Sequence, residues 1–431
     1  MNPVVGSAQG LLDLMVGEVA HGGWCVAREP GGTPDGGGRV VFVRHALPGE
    51  RVLARVTDAT ARFARAEAVH ILEASPDRVE PGCPHARPDG CGGCDWQHAS
   101  LDAQRRLKAA VITQQLRRIA GIEREVTVEP LPGDDAGLHW RTRVRFAVRP
   151  DGTAGLRKHR SHEVVDVGDC PIAHPLVQQA GATGRRWEGA RSVEVVASPG
   201  SAERALIVSP ATSRRPARLS GQSFLRQTAA GRTWRVSAGG FWQVHPGAAD
   251  ALTGAVLDAL RPEPGDVALD LYCGAGLFAG VLAEAVGPTG TVIGVEADAA
   301  AVRDARHNMR GTPWARVYRG DAAEVLGRSG WPEAGLAVID PPRTGAARPV
   351  IERLLAPSAT EISAAQQAED LRDTPSSGGL RRVAYVSCDP ATLARDLAVF
   401  AESGWRLAAL RAFDAFPMTH HVECVATLLP E

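Results

Sequence analysis

The sequence has no long apolar run, few aromatic side chains and almost no lysine. No apolar stretch approaches the roughly 18 residues that a membrane-spanning helix needs, and residues 1–10 lack the basic and apolar regions of a secretory signal peptide. Aromatic residues make up 5% of the chain but hydrophobic residues 44%, a fraction too high for a mainly disordered protein. For 431 residues we expect roughly two to four folded domains, in a cytoplasmic, monomeric protein with no membrane partner.

Net charge is also nearly absent, but this results from cancellation. The formal charge is −1 for the whole chain, and the segments 1–75, 76–240 and 241–431 carry −1, +8 and −8. A basic middle segment beside an acidic C-terminal segment is typical of a part that faces a polyanion joined to a part with another task. The alternative is that these charges are scattered over solvated faces.

The pattern along the chain predicts a multidomain α/β protein. Residues 1–74 contain short strand-like runs between Gly- and Pro-rich breaks, which indicates a small β-barrel. Residues 75–99 and 122–235 are predicted to form a central, β-rich domain with a cysteine cluster. Residues 100–121 and 236–431 are predicted to form a doubly wound, Rossmann-like domain, because buried strands alternate with helices there. A polar stretch at 356–380 interrupts that alternation and is predicted to be an exposed insertion.

Three arginines lie on one face of a predicted strand in the basic segment. Arg141, Arg143 and Arg145 alternate with apolar residues that include Val144 and Phe146. One face of this strand is therefore expected to pack, and the other presents guanidinium groups to phosphates or to solvent.

A glycine-rich turn follows the first strand of the Rossmann-like domain, in DLYCGAGLF at 270–278. Gly274 and Gly276 allow a tight turn and close backbone approach to a ligand. Glu296 ends the next predicted strand, where an acid can accept hydrogen bonds from ribose hydroxyls. The third glycine falls one position late for a dinucleotide site, and the DPPRTG loop at 340–345 is unusual for a dehydrogenase. The pattern favours S-adenosylmethionine over a dinucleotide.

Two further residues suggest covalent catalysis. Cys388 lies between a predicted buried strand and a helix, and a helix N-terminus stabilises a thiolate, which predicts a lowered pKa. Glu423, in the predicted final strand, is either a solvated charge or a base in the cleft. An inert buried cysteine is the alternative for Cys388.

Four other cysteines form a candidate metal site: Cys83, Cys91, Cys94 and Cys170. Paired cysteines at this spacing in a cytosolic protein are more often metal ligands than disulfides. Four thiolates suit a structural zinc ion or an iron–sulfur cluster, and spacing alone favours zinc slightly.

Taken together, these motifs resemble the RNA 5-methyluridine methyltransferases that use S-adenosylmethionine. The resemblance rests on GGFWQVHP at 239–246 and on DLYCGAG, GVEAD, DPPRTG, YVSCDPATLARD and FPMTHHVE in that order. It implies a TRAM domain of the oligonucleotide-binding type at the N-terminus, and Cys388 as nucleophile with Glu423 as base. It also implies cofactor contacts from the matching positions, which are Gln243, Tyr272, Gly274, Gly276, Glu296, Asp321 and Asp340.

The resemblance also bears on the metal and the substrate. CGGCDWQHAS followed by a distant DCP is similar to the family's [4Fe–4S] ligand set, which reverses the preference for zinc. The implied substrate is a uridine in RNA, with ribosomal RNA favoured and transfer RNA as the alternative. Two other readings stay open: a methyltransferase for a different base or a small molecule, and an RNA-binding or folding factor without activity.

Overall fold

A barrel-like sheet forms the N-terminal part of the protein. The structure, a computed structural model, describes residues 10–30, 38–213, 216–328, 333–356 and 379–431. The first six strands pair in the order β1-β5-β6-β4-β3-β2 around a core of small and branched apolar residues. They are β1 Leu11–Met15, β2 Val19–Ala20, β3 Trp24–Arg28, β4 Val40–Arg44, β5 Arg51–Ala59 and β6 Phe63–Glu73. We call this unit the N-terminal barrel.

One helix connects the barrel to the C-terminal part. Helix α1 (Leu101–Gln115) begins at the N-cap Ser100, continues as a π-turn over Leu116–Ala120 and ends at Gly121 in the left-handed region. Val111 packs in the core of the barrel. Ile112 and Leu116 instead belong to the core of the C-terminal sheet. The segment 100–121, which the sequence assigned to the C-terminal domain, thus contributes to the cores of both the barrel and the C-terminal sheet.

The middle of the chain forms an antiparallel sheet with the strand order β10-β9-β8-β11-β12-β13. Its elements are β8 Arg143–Val148, β9 Ala154–Arg157, β10 Val164–Val165, α2 Pro175–Gln178, β11 Ala190–Ser198, β12 Glu203–Pro210 and β13 Ala217–Gly221. Val144 and Phe146 point into its core, as the alternation predicts. We call this unit the central sheet.

Two segments within the range that the sequence assigned to the central domain form strands outside the central sheet. Strand β7 (Val128–Glu129) pairs in parallel with residues 412–413 at the edge of the C-terminal sheet. The hairpin β14 (Phe224–Ala229) and β15 (Arg232–Ser237) is a separate two-stranded sheet that contacts both neighbouring parts. Leu225 packs against β11 and β12 of the central sheet, whereas Trp234 and Val236 pack against the glycine turn region. Period-two alternation indicates a strand but not the sheet that it joins, so the domain bounds 122–235 stay a prediction.

The C-terminal part is an eight-stranded sheet in the order β18-β17-β16-β19-β20-β22-β21-β7. Its remaining strands are β16 Val267–Leu271, β17 Thr291–Glu296, β18 Ala315–Arg319, β19 Leu336–Ile339, β20 Arg382–Ser387, β21 Trp405–Phe413 and β22 Glu423–Pro430. Strands β16 to β20 run parallel, whereas β22 runs antiparallel to both of its neighbours. The order reverses between β16 and β19, which makes the gap between these strands a topological switch point.

Helices cover both faces of this sheet, as a parallel sheet requires. They are α3 Ala248–Leu260, α4 Leu277–Val286, α5 Ala299–Asn308, α6 Ala322–Leu326, α7 Arg348–Leu355 and α8 Pro390–Glu402. Two apolar clusters lie on the two faces, one with α1, α7 and α8 and one with α3 and α4. Among the described residues, none of the helices has both the length and the apolar character needed to span a membrane. Most of the predicted insertion at 356–380 lies outside the described residues.

Candidate active site

The chemistry-bearing residues converge at one edge of the C-terminal sheet. Strands β16, β17, β19 and β20 are parallel, so the loops at their carboxyl ends lie side by side. Glu423 joins them from the opposite direction because β22 is antiparallel and begins at this edge. Ligands of open α/β sheets bind at this position, next to the switch point.

The glycine turn after β16 is held in shape by Glu296. Tyr272 has a φ of 65°, in the left-handed region that glycine normally occupies, and Gly274 and Gly276 follow with positive φ. The N–H of Gly274 donates to Oε2 of Glu296 over 3.0 Å, and the N–H of Asp298 donates to Oε1 over 2.7 Å. The carboxylate that the sequence assigned to a ribose thus also fixes the turn beside it.

Two carboxyl groups lie near this turn, that of Asp270, which is buried, and that of Asp340, which is half-buried. Desolvation raises the pKa of Asp270 to about 8 and that of Asp340 to about 7. Oδ2 of Asp270 accepts a hydrogen bond from the N–H of Ala279 at 2.7 Å, whereas Oδ1 is buried and has no partner among the described residues. An unpartnered buried carboxyl oxygen beside a glycine turn suits a ligand that carries positive charge or donors.

Asp270 was missed in the sequence, although it opens the DLYCGAG motif. Its signal was a carboxylate inside an otherwise apolar strand, since every residue of β16 is buried. A charged side chain in such a position is costly unless it has a partner or a function.

The other predicted cofactor residues surround the turn less directly. Tyr272 lies near Asp321, and burial followed by that carboxylate raises the pKa of the phenol to about 12. Oδ1 of Asp321 caps α6 by accepting hydrogen bonds from the N–H groups of Ala323 and Glu324 at 2.9 and 3.2 Å. Gln243 is buried in the loop before α3, and Thr142 anchors that loop by donating to the carbonyl of Val244.

Cys388 and Glu423 are neighbours across two adjacent strands. Ser387, which precedes Cys388, pairs with Cys424, which follows Glu423, in the antiparallel register of β20 and β22. The Glu423 carboxyl group is close enough to raise the pKa of the Cys388 thiol. Glu423 is only 6% exposed. Burial, followed by the nearby Asp340, raises the pKa of its carboxyl group well above the ordinary value.

The prediction of a lowered pKa for the Cys388 thiol is wrong for the free chain. Burial and then the carboxylates of Glu423, Asp340 and Asp389 raise the pKa to about 12. Helix α8 does begin at Pro390, with Asp389 as its N-cap. Burial of the sulfur is the largest cause, and the acidic neighbours add to it.

Arg343 supplies a cation for this pair and was missed in the sequence. Its charge lowers the pKa of both the Cys388 thiol and the Glu423 carboxyl group, against the stronger effect of burial. It lies in the DPPRTG loop after β19, and that motif was its only signal.

The four predicted metal cysteines lie near one another. Cys91 interacts electrostatically with Cys170 and Cys83, and Cys94 interacts with Cys170 and Cys91. The N–H of Gly93 donates to the sulfur of Cys91 at 3.3 Å, and the Gln97 amide donates to the sulfur of Cys94 at 3.2 Å. Within the described ranges, however, no three His, Cys, Asp or Glu side chains are arranged to hold a metal ion.

Of the three arginines predicted to share a strand face, Arg143 and Arg145 lie on β8, whereas Arg141 precedes it and acts electrostatically on Cys91 and Cys170. Arg143 and Arg145 both form ion pairs with Glu194 on β11, at 3.0 and 3.2 Å. Arg143 also binds the carbonyls of Gly239 and Gly240, in the loop that carries Gln243. Arg145 stays largely exposed, so it is the member of the face that is available to a ligand.

Three family models match the chain in separate segments. The TRAM domain matches residues 12–69, which form the N-terminal barrel. Protein-L-isoaspartate(D-aspartate) O-methyltransferase matches residues 244–356. tRNA (Uracil-5-)-methyltransferase matches residues 378–430, which contain both Cys388 and Glu423. The matches and the switch-point site together define a methyltransferase with a Rossmann-like fold.

Relatives over the full length narrow this class. An "uncharacterized RNA methyltransferase" of Streptomyces avermitilis is 48% identical, over 97% of this chain and 98% of its own. A 23S rRNA (uracil(1939)-C(5))-methyltransferase of Pseudomonas putida is 33% identical, over 90% and 88%. In fold, the chain is similar to the Pyrococcus abyssi tRNA (uracil-54, C5)-methyltransferase in complex with S-adenosyl-L-homocysteine, with a TM-score of 0.68, 21% identity, and 96% and 100% of the two chains covered. The chain belongs to the family of S-adenosylmethionine-dependent RNA (uracil-5-)-methyltransferases.

Proposed function

We propose that the protein methylates carbon 5 of a uridine in ribosomal RNA, with Cys388 as nucleophile and Glu423 as base. The adjacency of these two side chains at the ends of β20 and β22 is the observation that carries the proposal. A methyltransferase for another base or a small molecule has no need of a thiol beside a carboxyl group. A factor that only binds RNA has no need of the carboxyl groups near the glycine turn.

S-adenosylmethionine, when bound, supplies a cationic sulfur carrying the methyl group that carbon 5 takes up. We assign its binding to the turn and the groups around it, which are Gln243, Tyr272, Gly274, Gly276, Glu296, Asp321 and Asp340, together with Asp270. The unpartnered oxygen of Asp270 and the raised pKa values of Asp270 and Asp340 support this assignment. A bound cation lowers both values and leaves these groups charged.

Cys388 activates the uracil ring of the substrate. Carbon 5 of uracil is a poor nucleophile until the thiolate adds to carbon 6, which moves electron density onto carbon 5. In the free chain burial keeps the thiol protonated. A cationic ligand in the cleft, together with Arg343, favours the thiolate, so the nucleophile forms when both substrates are present.

Glu423 completes the reaction by removing the proton from carbon 5. The electron pair of that C–H bond then expels the thiolate from carbon 6 and restores the aromatic ring. The carboxyl group must first lose its own proton, which Arg343 favours. The target nucleotide must leave its stack to reach this edge of the sheet.

Trapping the covalent intermediate tests this assignment. Glu423→Gln keeps the shape of the side chain but removes the base, so we expect a protein–RNA adduct to accumulate on denaturing gels while turnover is lost. The double variant Glu423→Gln with Cys388→Ala is the matched control and should form no adduct. Loss of turnover without an adduct would refute the role of Glu423.

The class of RNA rests on the relatives. The relative that is 33% identical over most of the chain acts on 23S rRNA by its name, whereas the structure named for tRNA is 21% identical and supports only the fold. Mapping 5-methyluridine in ribosomal and transfer RNA from cells with and without the gene decides between them. A modified position lost only from transfer RNA would overturn the ribosomal assignment.

We also assign a [4Fe–4S] cluster to Cys83, Cys91, Cys94 and Cys170. Their mutual proximity and the N–H donors that reach the sulfurs of Cys91 and Cys94 support the assignment, because cluster thiolates accept such hydrogen bonds. Protein purified without oxygen should be brown and contain iron and acid-labile sulfide. Colourless protein with one zinc ion per chain would overturn the cluster in favour of zinc.

The basic middle segment is the proposed RNA surface, together with the barrel. Residues 76–240 carry a formal charge of +8, and exposed arginines such as Arg145 lie on it. Contacts to phosphate release counterions. Raising the salt concentration should therefore weaken RNA binding far more than cofactor binding.

A further inference from the structure

A turn of the N-terminal barrel reaches the loop that carries Cys388. The turn His21–Gly23 connects β2 to β3, and Nε2 of His21 lies 2.9 Å from Oδ2 of Asp389. Asp389 follows Cys388 directly in the chain. A side chain of the TRAM domain therefore bonds to the residue next to the proposed nucleophile.

Asp389 uses its two carboxyl oxygens for different partners. Oδ1 accepts a hydrogen bond from the N–H of Thr392 at 2.9 Å and so caps helix α8. Oδ2 faces His21. The N–H of Asp389 also donates to the hydroxyl of Ser387 over 3.3 Å. The backbone of Cys388 is thus fixed on both sides by contacts that depend on Asp389.

The same turn packs against the segment that leads to Glu423. Gly23 has a φ of 81°, and a Cβ atom there would lie 3.0 Å from the Cβ of Asp95 and 3.1 Å from that of His420. Asp95 accepts a hydrogen bond from the N–H of His420, and Nδ1 of His420 lies 2.6 Å from the same oxygen. Arg44 of the barrel donates to the other oxygen of Asp95 at 3.1 Å.

We propose that the His21–Gly23 turn is a positioning element of the active site, which holds the Cys388 loop and the segment before Glu423 in register with the barrel. The inference rests on the proposed function, since it assigns the turn a part in that reaction. Its consequence is that RNA held by the TRAM domain is aligned with the nucleophile through one direct contact. Small displacements of reacting groups have large effects on rate, about 100-fold for 1 Å.

The contact with Asp389 depends on pH. The hydrogen bond to Asp389 raises the pKa of His21, despite the opposing effect of burial. The other titratable or charged groups around the turn are the Cys388 thiol, Asp95, His420 and Arg44. The His21–Asp389 ion pair is fully formed below the ordinary pKa of histidine and is lost as the pH rises through the raised pKa of His21. The contribution of the turn to the rate of methylation therefore declines toward alkaline pH.

The variant His21→Ala tests the proposal, with His70→Ala as control because His70 is an exposed histidine on β6 of the same barrel. In single-turnover methylation at saturating RNA we expect His21→Ala to slow the reaction about 10- to 100-fold. The KM for S-adenosylmethionine should stay unchanged. His21→Gln, which can still donate to Asp389, should recover most of the rate and lose the pH dependence. Equal rates for His21→Ala and His70→Ala would overturn the proposal.

A second readout does not depend on the reaction. Hydrogen exchange of the amides at 388–393 should be faster in His21→Ala than in the wild type or in His70→Ala, and alkylation of Cys388 by a small thiol reagent should change with it. Unchanged exchange would overturn the proposal even if the enzyme were active. If the wild type methylates no RNA but the exchange difference is present, the proposed function fails and the structural role of the turn stands.

Discussion

Cys388 and Cys91 are both partly buried thiols whose pKa is raised, to about 12 and about 11, but their surroundings differ. Carboxyl groups and Arg343 act on Cys388, whereas other thiols, an N–H donor and Arg141 act on Cys91. Acidic neighbours suit a cationic ligand that comes and goes, and thiol neighbours suit a metal that stays. Burial is common to the proposed nucleophile and the proposed metal ligand, and the acidic or thiol character of their neighbours is what differs.

The largest effect should come from removing the nucleophile. Cys388→Ala should lower methylation by at least about 10³-fold, as expected when a residue that forms a covalent intermediate is lost. Affinity for S-adenosylmethionine, measured by calorimetry, should stay within a few-fold of the wild type, because the glycine turn is untouched. Near-normal turnover in this variant would remove the distinction between the two thiol sites.

Removing a cysteine of the proposed metal site should lower both the metal content and the thermal stability of the protein. Cys94→Ala should lose nearly all of its iron and unfold at a lower temperature, since the bound metal stabilises the fold that positions its ligands. Cys25→Ala is the matched control, because Cys25 is buried in the barrel and away from the cluster. Iron content that is equal in the two variants would contradict the ligand assignment.

A smaller effect is expected from pH. Burial raises the pKa values of Asp270 and Asp340 to about 8 and about 7 in the free chain, and under the proposed cofactor assignment the bound cation would displace the protons that these groups hold. Affinity for S-adenosylmethionine should therefore rise with pH by up to about tenfold per unit for each proton released, and level off above pH 8. Without cofactor, Asp270 and Asp340 bind more protons in the folded state than in the unfolded state. Their contribution to the free energy of unfolding should therefore fall as the pH rises over the same interval. Calorimetry in buffers of different ionisation enthalpy counts the protons, and Asp340→Asn should release fewer.

The smallest effect should come from a third buried thiol. Cys273 lies in the glycine turn with its sulfur packed against Gly294, and burial raises its pKa well above the ordinary value. Cys273→Ala should cost roughly 1–2 kcal/mol of stability from lost packing and leave the methylation rate within a few-fold. A collapse of the rate would show that this cysteine, too, has a chemical role.

Sequence patterns over short stretches of the chain correctly located the strands of the C-terminal sheet and the loops that follow them. The buried strands β16 to β20 and the loops after them could be located because a parallel sheet collects its strand ends at one edge. The pKa of Cys388 was predicted with the wrong sign, since the helix was visible in the sequence but the burial of the sulfur, which raises the pKa most, depends on segments far apart in the chain. The ion pair of Arg143 with Glu194 and the contact of His21 with Asp389 join residues 51 and 368 positions apart, which no local signal reveals.

Helix α1 has a consequence for how the chain folds. Ile112 and Leu116 fill the core of the C-terminal sheet, and the buried amine of Lys108 pairs with Asp414, 306 residues later. At about 5–20 residues per second the ribosome needs roughly 15–60 s to make the intervening chain. During that time the helix has an apolar face without its partner, and the sheet cannot close until its last strands emerge. The contact between this early helix and the late strands can therefore form only after those strands are made, and a fragment that begins after the helix would lack part of its own core.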